Sequence, residues 1–406
     1  MYPVTEPHTT STLSVSSLHT LSYSIHGNSD GLPALALHGG PGAGSFPNHA
    51  RFFDPARYKI VLFDQRGCGK STPRGELRNN TFDALVDDCE ALKKHLDVDA
   101  WNVVLGGSWG VALALGYAQR YPSSVGGLVL RGICCMRPRE VDWLFGDEGG
   151  AREWDEHGWR TFQNVVVEED SSLEKRTVLT KYRDIFLGED YYAMGIAAMN
   201  WFGWERKIDA LFKNDESRKI KEVRKWTRLR DDANDPIKLS WDSCKWTMHY
   251  TSRGGNNTKY HELKEDVVQK NLRRFGIEPT RSNSSLTVDK NSTRKIQPSF
   301  VNSTRSLSNQ TFIPAQSILT SHYSLNDGFI GNFTLLDCDR IDKIRHIPCE
   351  AIQGGLDMIC PPDTMLDLHE VWPEMNVAVV LDCGHSMYEE GISKEIVRAT
   401  DLFSRN

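Results

Sequence analysis

The sequence predicts an α/β fold: a mostly parallel sheet with helices on both faces, interrupted by an inserted, mainly helical cap. Three observations carry this. Short apolar runs of strand length alternate with amphipathic helical stretches up to residue 132 and again from about residue 347, the pattern of βα units. From Ile133 onward tryptophans crowd in (Trp143, Trp154, Trp159, Trp201, Trp204) and helical periods displace strand signals. Finally, Gly106-Gly-Ser108-Trp-Gly110 stands between an apolar run and an Ala/Leu-rich run, a strand–turn–helix junction.

Taken in order, residues 1–18 are rich in Ser, Thr and His and are expected to form a disordered tail. Thr20 to His26 alternates like an edge strand, and Pro33 to Leu37 reads as a buried strand running into the glycine-rich turn His38-Gly-Gly-Pro-Gly42. Lys59 to Asp64 is another buried strand, followed by the loop Gln65 to Pro73. Asn80 is suited to cap the next helix, where Phe82, Leu85, Val86, Cys89, Leu92 and Leu96 recur at helical spacing. Trp101 to Leu105 forms the strand before Ser108, Val111 to Arg120 the helix after it, Pro122 the stop, and Gly127 to Arg131 the next strand. Residues 19–132 are thus the first part of the sheet domain, and 133–330 the cap. Within the cap, about 206–311 is a polar insertion without periodicity, expected to be disordered. Its basic run Arg218 to Arg230 reads as a solvated helix. Residues 331–406 complete the sheet, with strands at Pro348 to Gln353 and Asn376 to Leu381 and helices at Asp363 to Val371 and Ile392 to Phe403.

The chain has 406 residues, a net charge of −6 and 25% charged residues, a balance that gives no footprint for nucleic acid or an anionic membrane surface. No segment reaches the length of a membrane span, and the N-terminus lacks a basic and an apolar leader region. Nine scattered cysteines without a C-x-x-C pair imply reduced thiols and a cytoplasmic protein. His261-Glu262 and His369-Glu370 lack the second helical histidine of a zinc site, so neither metal nor cofactor is expected.

A serine hydroxyl becomes a nucleophile when a histidine takes its proton and a carboxylate orients that histidine. In a strand–elbow–helix context Ser108 is the candidate nucleophile, and the expected chain order is serine, acid, histidine. Asp357 follows one late strand and His385 the next, which puts both at the carboxyl edge of the sheet; Asp363 and Asp382 also lie within reach along the sequence. The oxyanion donors expected are the backbone N–H groups of Trp109 and Gly40, since Pro41 has none. Trp201, Trp204 and Glu205 share a helix face that sets a carboxylate beside aromatic surface, suited to a cationic amine on an apolar ring. Cys360 and Cys383 flank the two late loops, from which inhibition by thiol reagents is expected.

Four motifs, His38-Gly-Gly-Pro-Gly42, Asp64-Gln-Arg-Gly-Cys-Gly-Lys-Ser-Thr-Pro73, Gly106-Gly-Ser-Trp-Gly110 and Leu130-Arg-Gly-Ile133, together resemble the proline iminopeptidases. These are serine exopeptidases of the α/β-hydrolase fold that release an N-terminal proline. The resemblance covers about 20–205 and 312–404. It implies a small peptide with a free amino terminus bound under the cap, Glu205 reading the substrate nitrogen, and Arg131 helping to shape the pocket. The chain departs from the family pattern at three places: Thr320 stands where a second amine-reading glutamate is expected, Cys134 replaces a pocket phenylalanine, and Leu144 replaces an aromatic. A general esterase or amidase on the same scaffold is the competing expectation, and a non-enzymatic binding module a third. No signal of oligomeric state is present.

Overall fold

The computed structural model describes residues 1–146, 148–164, 176–212, 314–331 and 334–405, and the backbone of two strands at 237–242 and 244–250. The strands are β1 (Thr9–Ser14), β2 (Thr20–Gly27), β3 (Leu32–Leu37), β4 (Tyr58–Phe63), β5 (Val103–Gly107), β6 (Leu128–Arg131), β7 (Ile237–Asp242), β8 (Cys244–Tyr250), β9 (Cys349–Gly354) and β10 (Asn376–Val380). The helices are α1 (Phe82–His95), α2 (Trp109–Arg120), α3 (Pro138–Phe145), α4 (Glu156–Gln163), α5 (Thr177–Phe186), α6 (Tyr191–Asp209), α7 (Ala315–Leu325), α8 (Cys338–Ile341), α9 (Asp363–Val371) and α10 (Glu390–Phe403).

The strands form one sheet in the order β1-β2-β4-β3-β5-β6-β9-β10-β8-β7. From β4 to β10 all pairs are parallel; the outer pairs are antiparallel. Because side chains alternate across a strand, each central strand feeds two layers. Leu35, Val61, Phe63 and Val104 face α1 and α2, whereas Ala36, Ile60, Leu62 and Leu105 face Ile392, Ile396 and Phe403 of α10. Full burial of such a residue is worth roughly 1.5–3 kcal/mol, so these two layers, rather than the polar outer strands, hold the sheet together. The α/β-hydrolase fold expected from the motifs is what forms.

Cap helices α4, α5 and α6 gather around a cluster of rings: Phe162 stacks on Tyr182 at 4.5 Å, and Trp159 meets Trp204 edge-on at 5.4 Å. Directed bonds tie the cap to the core. Trp143 Nε1 donates to the Met358 carbonyl at 2.8 Å, and the Tyr323 hydroxyl donates to Asn80 Oδ1 at 2.8 Å.

The structure corrects three expectations. The tail at 1–18 is not structureless: β1 pairs with β2 from Thr9↔Ile25 to Ser14↔Thr20. An edge strand asks only for backbone pairing, which threonines satisfy while staying exposed. Within 206–311, α6 continues to Asp209, and β7 and β8 add a hairpin to β10, in register from Val377↔Tyr250 to Val380↔Thr247. Ile237-Lys-Leu-Ser-Trp alternates apolar and polar residues, a period of two hidden inside a polar composition. The basic run 218–230 lies outside the described residues. Third, the α1 cap is Thr81, whose side chain accepts the Ala84 N–H at 3.5 Å. Asn80 is buried and spends its amide on the Arg66 and Glu76 carbonyls.

The elbow is packed without slack: a Cβ added at Gly110 would lie 2.3 Å from the Leu37 carbonyl oxygen of β3. Since that neighbour is backbone, Gly110→Ala is expected to cost about 3 kcal/mol by overpacking, measured as a lowered denaturation midpoint; an unchanged midpoint would contradict this packing.

Candidate active site

Register brings the functional loops to one edge. Gly107 pairs with Arg131, Arg131 with Ile352, and Gly354 with Val380, so β5, β6, β9 and β10 end together and release their loops side by side. Beneath the cap these loops border a cavity of 380 Å³ whose lining includes Gly40, Ser108, Arg131, Glu205, Cys360 and His385.

Ser108 sits between β5 and α2 at φ 55°, ψ −123°. A positive φ is unfavourable for a residue with a side chain, and the surroundings hold it there. The Ser108 N–H donates to the Arg131 carbonyl at 2.8 Å. Gly39 lets the turn at 38–42 come close: a Cβ there would lie 3.3 Å from the Ser108 Cβ. Trp109 opens α2, so its backbone N–H has no intrahelical acceptor. Its indole is buried and donates to Gln65 Oε1 at 2.9 Å, while Gln65 Nε2 donates to the His38 carbonyl at 2.9 Å. Gln65 therefore locks the Gly40 turn to the start of α2, which sequence reasoning had used only as part of a motif. The Thr320 hydroxyl fastens the same turn, donating to the Pro41 carbonyl at 2.9 Å.

The His385 loop is held from four directions. Its Nδ1 is 2.8 Å from Asp357 Oδ2, and Asp357 Oδ1 accepts the N–H groups of Ile359 and Cys360 at 3.0 and 2.8 Å. Arg131 donates to the His385 carbonyl at 2.8 Å. Asp209, at the end of α6, accepts the His385 N–H at 3.3 Å, a contact from the cap that no motif announced. Glu389 accepts the N–H of Gly384 at 2.9 Å. Of the three acids in reach along the sequence, Asp357 is the one paired with the imidazole. The Ser108 hydroxyl has Cys360 Sγ as its polar neighbour at 3.9 Å and, among the described residues, no hydrogen bond to His385. His385 Nε2 lies 3.5 Å from the Arg131 guanidinium. Such serine–histidine contacts are commonly loose before substrate binds.

Glu205 borders the cavity, and its Oε1 accepts the Trp201 indole N–H at 2.9 Å. Burial pushes its carboxyl up to about 7, with no ion-pair partner among the described residues to oppose the shift. The expected aromatic surface beside it is corrected. Trp204 is fully buried among Trp159 and Phe162, with its N–H donated to the Leu144 carbonyl at 2.9 Å, and it does not reach the cavity. Trp201 is buried too and serves Glu205 by its N–H rather than by its ring face. Cys134 and Leu144 do line the cavity. Glu140 also borders it, but is paired with Arg137 and accepts the Cys135 N–H at 2.7 Å.

A serine elbow, an imidazole–carboxylate pair and free helical N–H groups on one sheet edge define a serine hydrolase of the α/β-hydrolase class, and residues 35–167 match the alpha/beta hydrolase fold family. Three relatives narrow the class. A proline iminopeptidase of Arabidopsis thaliana is 32% identical, the alignment covering 99% of this chain and 81% of that protein. A probable proline iminopeptidase of Leptolyngbya boryana is 32% identical, covering 99% and 96%. A proline iminopeptidase of Neisseria meningitidis serogroup A is 39% identical, covering 99% and 98%. The chain belongs to the proline iminopeptidase family. No helix among the described residues is long and apolar enough to cross a membrane.

The expectation of ready thiol inhibition is not supported by the environment of the two cysteines. Cys360 and Cys383 are buried; burial pushes the Cys383 thiol up to about 12, and a hydrogen bond with Cys134, helped by burial, raises that of Cys360. Thiolate is the reactive form, so the raised thiols argue against ready reaction at either position. Alkylation at neutral pH is expected to label exposed Cys338 first among the described cysteines, with activity retained, as read by peptide mass analysis against residual rate.

Proposed function

We propose that this chain is a serine aminopeptidase that releases an N-terminal residue, preferentially proline, from small peptides. One observation carries the reading: Glu205, a carboxylate without an ion-pair partner among the described residues, faces the same cavity as Ser108 and the His385–Asp357 pair. A buried carboxylate of this kind is a poor neighbour for an ester or a blocked peptide. It is a strong one for a protonated amine, because an opposite charge in a partly desolvated site repays the cost of ionising it.

In the proposed mechanism, Glu205 anchors the amino terminus and sets the first carbonyl over Ser108. In the reacting complex the hydroxyl meets His385, and His385 Nε2 takes its proton as the Oγ–carbon bond forms. Asp357 holds the Nδ1 proton and stabilises the imidazolium. Gly40 and Trp109 N–H groups take the oxyanion, worth roughly 2.7–4 kcal/mol per donor in such sites. His385 then gives its proton to the leaving amine as the carbon–nitrogen bond breaks. Water, deprotonated by His385, hydrolyses the acyl-serine. Arg131 and Asp209 keep the histidine loop in place throughout.

A second reading, a general esterase or amidase on this scaffold, is favoured by Thr320, Cys134 and Leu144, which supply neither a second carboxylate nor aromatic faces for a pyrrolidine ring. Parallel kinetics on prolyl, alanyl and N-acetylated substrates decide between the two. Preference for the free-amine prolyl compound supports the aminopeptidase, and preference for acetyl esters overturns it.

Ser108→Ala is expected to abolish turnover of an N-terminal prolyl amide without loss of fold, and Asp357→Asn to lower kcat about 10⁴-fold. Both are read by steady-state kinetics beside circular dichroism. The Glu205 carboxyl, raised to about 7, must be ionised to hold an ammonium group. KM for the prolyl amide should therefore fall as pH rises through 7, since deprotonation creates the binding charge. Glu205→Gln should raise KM and flatten that dependence, while leaving blocked esters little changed; an unaltered pH profile in the variant would remove Glu205 from this role.

A further inference from the structure

The cavity is graded. Cys134, on its inner wall, is 9% exposed, whereas Phe46 and Tyr388 on its rim are 53% and 42% exposed. His49 lines the same cavity, with the Phe46 ring against its imidazole at 5.7 Å and 80°. Three residues further on, the Phe52 ring lies against Tyr388 at 5.9 Å. Two exposed aromatic rings and one imidazole thus line the same cavity. Solvent-facing aromatics grouped at a pocket mouth offer apolar area with little rotamer entropy to lose, which suits them to binding.

The tautomer of His49 can be read from its partner. The Phe46 backbone N–H donates to His49 Nδ1 at 3.3 Å, so that nitrogen carries no proton and Nε2 must. Among the described residues Nε2–H has no acceptor, and it is not among the buried polar atoms left unpartnered, so it opens on the cavity. Burial pushes the imidazole down to about 4, which keeps it neutral. The aminopeptidase mechanism has no use for this donor.

We infer that Phe46, His49 and Tyr388 form a subsite for the residue that follows the scissile bond, taking an aromatic or large apolar side chain. The inference rests on the substrate orientation proposed above. With the amine at Glu205 and the carbonyl at Ser108, the rest of a peptide extends toward the exposed side of the cavity, where Phe46 and Tyr388 lie. There Phe46 and Tyr388 offer apolar surface to its next side chain, and His49 Nε2–H donates to the next carbonyl. The preferred substrate is then a short peptide with an apolar second residue, rather than a simple proline amide or ester.

The test compares kcat/KM for prolinamide, which has no following residue, with Pro-Phe-NH₂ and Pro-Asp-NH₂. The wild type should favour Pro-Phe-NH₂ over both by at least 10-fold. Phe46→Ala and Tyr388→Ala, checked for fold by circular dichroism, should each shrink the Phe-to-Asp ratio several-fold. His49→Ala should lower both dipeptide amides relative to prolinamide. Turnover of prolinamide with no dependence on the second residue, or ratios unchanged in the two aromatic variants, would overturn the subsite alone. Absence of turnover on all three compounds would overturn the aminopeptidase reading and the subsite with it.

Discussion

Ser108 occupies a backbone conformation that an isolated chain would avoid, at a cost of roughly 1–3 kcal/mol, and everything at the site depends on that conformation being imposed. The imposition comes from contacts too close for any larger residue. Gly106 leaves room for the Gly110 carbonyl, Gly110 for the Leu37 carbonyl, and Gly39 for Ser108 itself. The Arg131 carbonyl then takes the Ser108 N–H. Strand β3, strand β6 and helix α2 each supply one constraint, so the serine is held by the sheet rather than by its own loop. A flexible nucleophile would have to pay the ordering entropy at each turnover; this one has it settled on folding.

The histidine is treated differently. Its ring is fixed by Asp357 and its backbone by Arg131, both from the sheet, but the remaining N–H bond goes to Asp209 of the cap. Asp209 lies one helical turn beyond Glu205 on α6, so one helix touches both the cavity wall that would meet the amine and the loop that carries the imidazole. The cavity wall at Glu205 and the backbone of the histidine loop are thus joined through one helix. Arg131 is central on the core side: it is buried, it binds the histidine loop, and its Nε has no partner among the described residues. Such a group is costly unless the site requires its position.

Much of this was legible in the residues because the relevant signals are local. The elbow, the two late loops and the alternation of strands and helices depend on short patterns whose physics acts within a few residues. Ser108, Asp357 and His385 could be named in order, and register placed the last two in contact. What escaped depends on distant partners. Asp209 carries no motif, and its contact is with a loop far along the chain. Trp204 looked like pocket surface because helical spacing puts it near Glu205, yet the cap needed that ring for its own interior. The hairpin β7–β8 was hidden because composition over a long window is polar while its period-two alternation spans a handful of residues. The N-terminal strand was missed because its side chains are polar and its pairing is made by backbone alone.

That hairpin changes the outer border of the sheet. Without it, β10, which leads directly to the His385 loop, would present an unpaired row of N–H and C=O groups, a template for pairing with foreign chains. The two strands come from the middle of the polypeptide, more than a hundred residues before the strand they cover, and so leave the ribosome long before their partner does. Protection of that border is therefore a late event in assembly. Until β9 and β10 arrive, the nascent protein must carry an orphan ribbon, and it is during this interval that the molecule is most exposed to wrong company.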